Sequence, residues 1–383
     1  MEISGISVFG LLGTSRDRRA FEAGFKYMIA SGLASVFFLI GVAFIYLTVG
    51  SLYLGDIIAG AGGVVGAAGI MALVFLAASL LVELKPAPAN GWALDTYQAA
   101  DPALGALISG VNATAMVVVF QRLMPIFLAA AGDIFVPVFV TAGILAFLIP
   151  QIQALMQSNL RRMLGYSSVA QIGLVILVVV ISPAAVSFGT VAVPAAIVLL
   201  LNHGLAKAGL FWVVNVIGDE RTGIDRTGGD RAWPHPIRGR KRLLVFVSVL
   251  VLALLGLPPF PGFWAKWNLV VALGGSGLYG VLAVVLLGSL TEAVYLMRWY
   301  TGLVRNDGDD GTVVAERIPA DFAPPEDEFA GAVGGGCPDT GCTPSLACSG
   351  VAMLVLTGAG IAAAVAADFS PVSLAIVPVI AVL

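Results

Sequence analysis

Long apolar runs follow one another along almost the whole chain, separated only by short polar breaks. About 20 consecutive apolar residues carry an α-helix across the hydrocarbon core of a bilayer. A backbone in lipid must also satisfy its own hydrogen bonds, which leaves helices or a closed barrel. The runs here are of helical length, so the expected fold is an all-α, polytopic membrane protein. Spans are expected near 24–48, 57–84, 103–121, 134–155, 164–182, 186–217, 243–273, 278–300 and 346–367, with partial ones at both ends. Charged residues make up only 11% of the 383, against roughly 25% in soluble domains. The opening Met1-Glu2-Ile3-Ser4-Gly5 lacks the basic stretch and cleavage site of a signal peptide.

Numbering the faces alternately sorts the positive charges. One face receives Arg16, Arg18 and Arg19, then Arg161 and Arg162, then the cluster from Arg221 to Arg242, then Arg305 and Arg317, while the other receives essentially Arg122. The positive-inside rule puts the first face in the cytoplasm of a cell membrane, and with it the loops 218–241 and 304–345. The second of these loops is rich in Asp, Glu, Gly and Pro, as in Pro324-Pro325-Glu326-Asp327-Glu328, and is expected to be an acidic linker.

Metal and cofactor chemistry find little to work with. Cys337, Cys342 and Cys348 are spaced for neither a zinc site nor a dependable disulfide, and two histidines, His203 and His235, supply no haem or iron–sulfur pattern. No metal, cofactor or catalytic chemistry of its own is expected, and any redox step belongs to a partner. Nothing points to nucleic acid.

Ionisable residues inside the spans carry the functional signal. The chain has five lysines, and Lys207 and Lys266 fall within spans 186–217 and 243–273. An ionised side chain there costs about 2.5–3.5 kcal/mol on insertion scales. Lysine, unlike arginine, can exist in both protonation states, as a proton relay requires. The alternative is snorkelling to an interface. His203 stands four residues before Lys207 and shares its helix face. Two proline clusters interrupt spans: Lys85-Pro86-Ala87-Pro88-Ala89-Asn90, and Gly256-Leu257-Pro258-Pro259-Phe260-Pro261-Gly262 before Lys266. Prolines so dense break a helix, and unwound backbone at membrane depth is tolerated only inside protein or beside a wet cavity. Paired breaks in two halves mark inverted-repeat transporters, although either cluster can also be an ordinary loop.

Taken in order, several stretches resemble the antiporter-like membrane subunits shared by respiratory complex I, Mrp-type cation/proton antiporters and membrane-bound hydrogenases. They are Phe25-Lys26-Tyr27, Leu160 to Gly173, His203 to Phe211, Gly223 to Gly229, and Gly256 to Lys266. The resemblance implies two inverted five-helix repeats, each with one broken helix bearing an ionisable residue. It makes Lys266 the broken-helix lysine of the second repeat, with Lys207 and His203 as central connecting residues. Aligning Trp92, Asp95, Tyr97 and Gln98 with the family puts Glu83 where the first repeat has a lysine, with Lys85 two residues on. Two residues turn a helix by about 200°, so both can face one path only if the backbone is unwound there. Asn112 and Ala113 stand where the family often has lysine or histidine. Glu2 stands near the spacing of the family's membrane glutamate from its Lys-Tyr pair, so the chain is expected to lack about four N-terminal spans.

The implied organisation is an incomplete first repeat (1–121), a second repeat (122–303), an acidic linker (304–345) and a C-terminal membrane region (346–383). The implied function is proton, or sodium, translocation through Glu2, Glu83, Lys85, His203, Lys207 and Lys266 around breaks at Pro88, Pro258, Pro259, Pro261 and Gly262. Partners would be the bilayer and other membrane subunits of an antiporter or redox complex. A stand-alone secondary transporter and a structural subunit with a non-functional first channel are the rival readings.

Overall fold

The computed structural model describes residues 2–15, 17–64, 66–86, 89–157, 159–184, 186–219 and 241–304. The side chain of Glu2, Pro88, most of the loop 218–241, the acidic linker and the C-terminal region with its cysteines lie outside the described residues. The described chain is helical throughout, without a strand: α1 (Glu2–Gly13), α2 (Arg18–Val49), α3 (Leu54–Ala59), α4 (Gly66–Leu84), α5 (Gly91–Ala99), α6 (Pro102–Leu107), α7 (Ala113–Leu155), α8 (Leu160–Ile181), α9 (Val186–Asp219), α10 (Lys241–Leu255), α11 (Pro261–Gly275) and α12 (Tyr279–Val304). A five-residue π-helical turn, Ile108–Asn112, joins α6 to α7.

Six helical segments among the described residues are long and apolar enough to cross a bilayer. One of these, 102–155, folds back on itself. Ala131 leaves helical geometry (φ −158°, ψ 51°), and the rings of Phe120 and Phe139 meet at 5.1 Å between centroids. In one straight helix those residues would stand about 28 Å apart. The spans expected at 103–121 and 134–155 are therefore both present, joined by a tight helical turn at Ala131 and Gly132. The broken pair α10 and α11 fills the place of the single span expected at 243–273. One expected span is shorter than the sequence suggested. Residues 57–84 form α3, a 3-10 turn at Ala61–Gly63 and then α4, because Gly60, Gly62, Gly63 and Gly66 interrupt the apolar run and glycine weakens a helix interior.

Helix α8 sits at the centre. Every residue from Met163 to Val180 is buried, so this helix is enclosed on all sides rather than amphipathic. Small residues allow the enclosure. A Cβ added at Gly173 would lie 2.5 Å from the Phe147 amide nitrogen on α7, and one at Gly165 would lie 2.9 Å from Tyr97 on α5. Close backbone approach through glycine is how membrane helices pack. Gly173→Val is accordingly expected to cost about 3 kcal/mol or more through overpacking against rigid backbone. Thermal unfolding of detergent-extracted protein should record the loss, whereas Gly32→Val, with open space around it, should leave the transition unchanged.

Charged groups of α2, α5 and α8 pair with one another near the start of α8. Asp95 on α5 accepts from Lys26 on α2 (2.9 Å) and from Arg162 on α8 (2.9 Å), and Arg162 also donates to the Gln98 side chain. Arg161 reaches the Ala100 carbonyl, and Arg298 near the end of α12 reaches that of Leu155.

Candidate functional site

The second break is built from chain chemistry that can be followed atom by atom. Helix α10 ends in a left-handed residue, Gly256 (φ 72°), whose amide donates to the Ala253 carbonyl while the Leu257 amide donates to that of Leu252. This is the Schellman termination that glycine favours. Pro258 and Pro259 occupy the following turn, and Pro261 opens α11 at its first position, where a missing amide hydrogen costs nothing. The turn exposes carbonyls at the end of α10 to side chains from elsewhere. Asn202 on α9 donates to Ala253 (2.9 Å), and the Lys266 ammonium on α11 donates to Leu255 (3.3 Å), where a helix C-terminus favours positive charge. Gly262 is required by this closeness, since a Cβ there would stand 2.6 Å from the Asn202 amide nitrogen.

Lys266 does not snorkel. Its side chain is 15% exposed and forms an ion pair of 2.9 Å with Glu292 on α12, whose side chain alone is 4% exposed. The other carboxylate oxygen of Glu292 accepts from Ser167 on α8 at 3.3 Å. Glu292 escapes the sequence reading because the run 278–300 reads as one more apolar span. A carboxylate eight residues from the end of such a run is nonetheless a signal in its own right.

Two further groups stand one turn apart on α9. Lys207 is fully buried and donates to the Leu164 carbonyl on α8 (2.9 Å). That carbonyl also accepts from the Ser168 hydroxyl at 3.0 Å. His203 is 3% exposed, and its Nε2 finds no hydrogen-bond partner among the described residues. Lys207 and Lys266 both act electrostatically on His203, and Glu292 acts on Lys207. The shared face expected for His203 and Lys207 is thus real, and it points into the protein.

The first break meets the condition that the sequence set. Helix α4 ends at Leu84, and Lys85 adopts a left-handed conformation (φ 60°) that a non-glycine residue rarely takes. The backbone is unwound at that residue, so Glu83 (3% exposed) and Lys85 (1%) are both turned inward. Glu83 accepts from the Ser31 hydroxyl on α2 at 3.1 Å. The Lys85 ammonium lies 5.4 Å from the centroid of the Trp92 ring and 5.8 Å from that of Tyr97, a cation–π cradle in place of a hydrogen-bond partner among the described residues. The Tyr97 ring stacks on Phe211 of α9, and its hydroxyl stands beside Ser109 and Ser168, whose own hydroxyls are 2.7 Å apart. Ser109 belongs to the π-helical turn, which also holds Asn112 at the position where the family often has a lysine. Polar groups therefore run from the first break across α8, through Ser168 and Ser167, to the second. The described residues contain no cluster of His, Cys, Asp and Glu fit for a metal.

Residues 1–291 match the family described as NADH:quinone oxidoreductase/Mrp antiporter, transmembrane. The chain belongs to this family. NADH-quinone oxidoreductase subunit N of Desulforudis audaxviator is 31% identical over 304 residues, 78% of this chain and 58% of that one. The chain therefore spans about three fifths of the length of such relatives. Among solved structures, the fold is shared with the Mrp complex from Dietzia sp., with a TM-score of 0.70 at 24% identity over 96% of this chain and 72% of that one. It is shared too with respiratory complex I from Thermus thermophilus, with a TM-score of 0.64 at 25% identity over 94% and 71%. These assemblies are multi-subunit membrane complexes. The match to the NADH:quinone oxidoreductase/Mrp antiporter family takes in both breaks and the buried His203 and Lys207 of α9, and it stops one residue before Glu292.

Proposed function

We propose that this chain is an antiporter-like subunit that moves protons through the membrane part of a multi-subunit complex and performs no redox chemistry of its own. The observation that carries the reading is the line of buried ionisable and hydroxyl groups between two helix breaks: Glu83, Lys85, Tyr97, Ser168, Lys207, His203, Glu292 and Lys266. Buried charge in a membrane protein is expensive and, where it lines an interior path, marks ion movement. Short polar spacings between unwound helices are what a proton relay uses. The curated relatives at 31% identity are subunits N of NADH-quinone oxidoreductases, which favours a complex-I-like assembly over an Mrp-type one. Two inverted repeats, with residues 1–121 in the first and 122–303 in the second, remain part of the proposal, as does a role for Glu2.

The deciding experiment uses inverted membrane vesicles holding the whole complex with and without this chain. Driven acidification of the vesicle interior should fall in its absence while the partner subunits stay assembled. Unchanged acidification with intact partners would reduce the chain to a structural subunit.

Orientation belongs to the same proposal, in which the loops 218–241 and 304–345 face the cytoplasm. Single cysteines introduced at Thr227 and Thr312 are expected to label from one side of the membrane and one at Gly132 from the other. Gly132 stands at the turn of the α7 hairpin, about 36 Å of helix from the Leu155 end. Labelling of Thr227 and Gly132 from the same side would overturn the orientation.

A further inference from the structure

Glu292 is a buried carboxylate that lies just beyond the family match and outside the sequence motifs. Its place on α12 is unambiguous: Leu290 and Val294 on either side are 64% and 51% exposed, whereas Glu292 is 3% exposed and shares the inner face with Gly288, Tyr295 and Trp299. Both carboxylate oxygens are engaged, one by Lys266 of α11 and the other by Ser167 of α8. Donors from two different helices fix the plane of the carboxylate. Lys266 pairs with it directly, and Lys207 on α9 and the Tyr295 hydroxyl on its own helix lie within reach of its charge. A buried ion pair is weak evidence of a stabilising role, because two apolar side chains of similar volume often serve a fold as well or better. This pair instead sits where α10 is broken and where two further ionisable side chains meet.

We infer that Glu292 is a positioning residue for ion movement: its carboxylate, held on its other oxygen by Ser167, keeps the Lys266 ammonium against the end of α10. The inference rests on the proton-path reading above. When Lys266 gives up its proton, the N–H bond breaks and a water molecule of the path takes the proton as hydronium, while the Glu292 carboxylate, still held by Ser167, stays in place to receive the ammonium when Lys266 is reprotonated.

The test uses the whole complex in inverted vesicles, with Glu292→Gln, Glu292→Asp and the double variant Lys266→Gln/Glu292→Gln, each normalised to complex present in the membrane. Glu292→Gln should lower ion movement about tenfold or more, as loss of one partner of a buried pair implies. Glu292→Asp should recover a measurable part, because it keeps the charge. Near-native movement in Glu292→Gln, or an aspartate no better than glutamine, would overturn the inference. If Glu292→Gln does not accumulate, the double variant decides: restored accumulation without ion movement supports the pairing, and continued absence makes position 292 a packing site and overturns it. Comparison with Lys266→Arg keeps the two readings apart. A dead arginine variant beside an active Glu292→Gln defeats only the role of Glu292, whereas an active arginine variant defeats the path itself.

Discussion

Lys266→Arg is expected to stay in the membrane at native level and to abolish proton movement by the complex. The two halves of that result have separate causes. Arginine keeps a positive charge beside Glu292, and its guanidinium pairs well with a carboxylate, so the buried acid is not orphaned and the second break keeps its closure to the end of α10. Guanidinium, however, stays protonated in proteins, so the group cannot alternate between charged and neutral. Lys266→Ala is the harsher change, because it leaves Glu292 buried with Ser167 alone, and breaking such a pair costs about 3–5 kcal/mol. The carboxylate makes arginine the cleaner probe. Proton uptake into inverted vesicles, with complex content measured by immunoblot, reads both quantities at once. Uptake near the native rate in Lys266→Arg would sink the relay role and return Lys266 to a structural ion pair.

What could be read from the chain follows from what each signal depends on. Span positions depend on summed apolarity, which is local, and the proline clusters depend on a missing donor and a fixed φ, which are local too. The breaks after Leu84 and Leu255 could therefore be found in advance, as could the common face of His203 and Lys207. Features that depend on contact between distant segments could not. The gap between the spans expected at 103–121 and 134–155 announces a turn, but its tight helical form at Ala131, with Phe120, Phe127, Phe135 and Phe139 packed across it, does not show in the chain. The left-handed Lys85 is held by Trp92 and Tyr97, and nothing in Leu84-Lys85-Pro86 announces it. Glu292 escapes for a different reason. One acidic residue hardly lowers the hydropathy of a long apolar run, and its partner lies on another helix. Its meaning appears only when Lys266, 26 residues earlier, comes within 2.9 Å.

Lys207→Met is expected to separate stability from function in the opposite direction to Lys266→Ala. Lys207 is fully buried, and the hydrogen bond that its ammonium makes is to a backbone carbonyl, Leu164, rather than to an acid. That carbonyl lies inside α8 and keeps the Ser168 hydroxyl when the lysine is gone, so no polar group is orphaned. Methionine is close in length and unbranched, and it fills the same channel through the core without the cost of a buried charge. The variant should therefore accumulate as well as the native protein and unfold at the same temperature or slightly above it. Proton movement should nonetheless fall about tenfold or more, because removing a fully buried ionisable residue from an interior path breaks its continuity. The break would come at α9, between the cradle of Lys85 and the Lys266–Glu292 pair, where no second lysine is at hand among the described residues. Glu292 would keep Lys266 and Ser167, so the second break should stay closed, and a single cysteine in its turn should label at the native rate. A native rate of proton movement in Lys207→Met would mean that the halves communicate by another route. A drop in accumulation, with methionine in place of an ammonium, would mean that the bond to Leu164 holds α8 and α9 together.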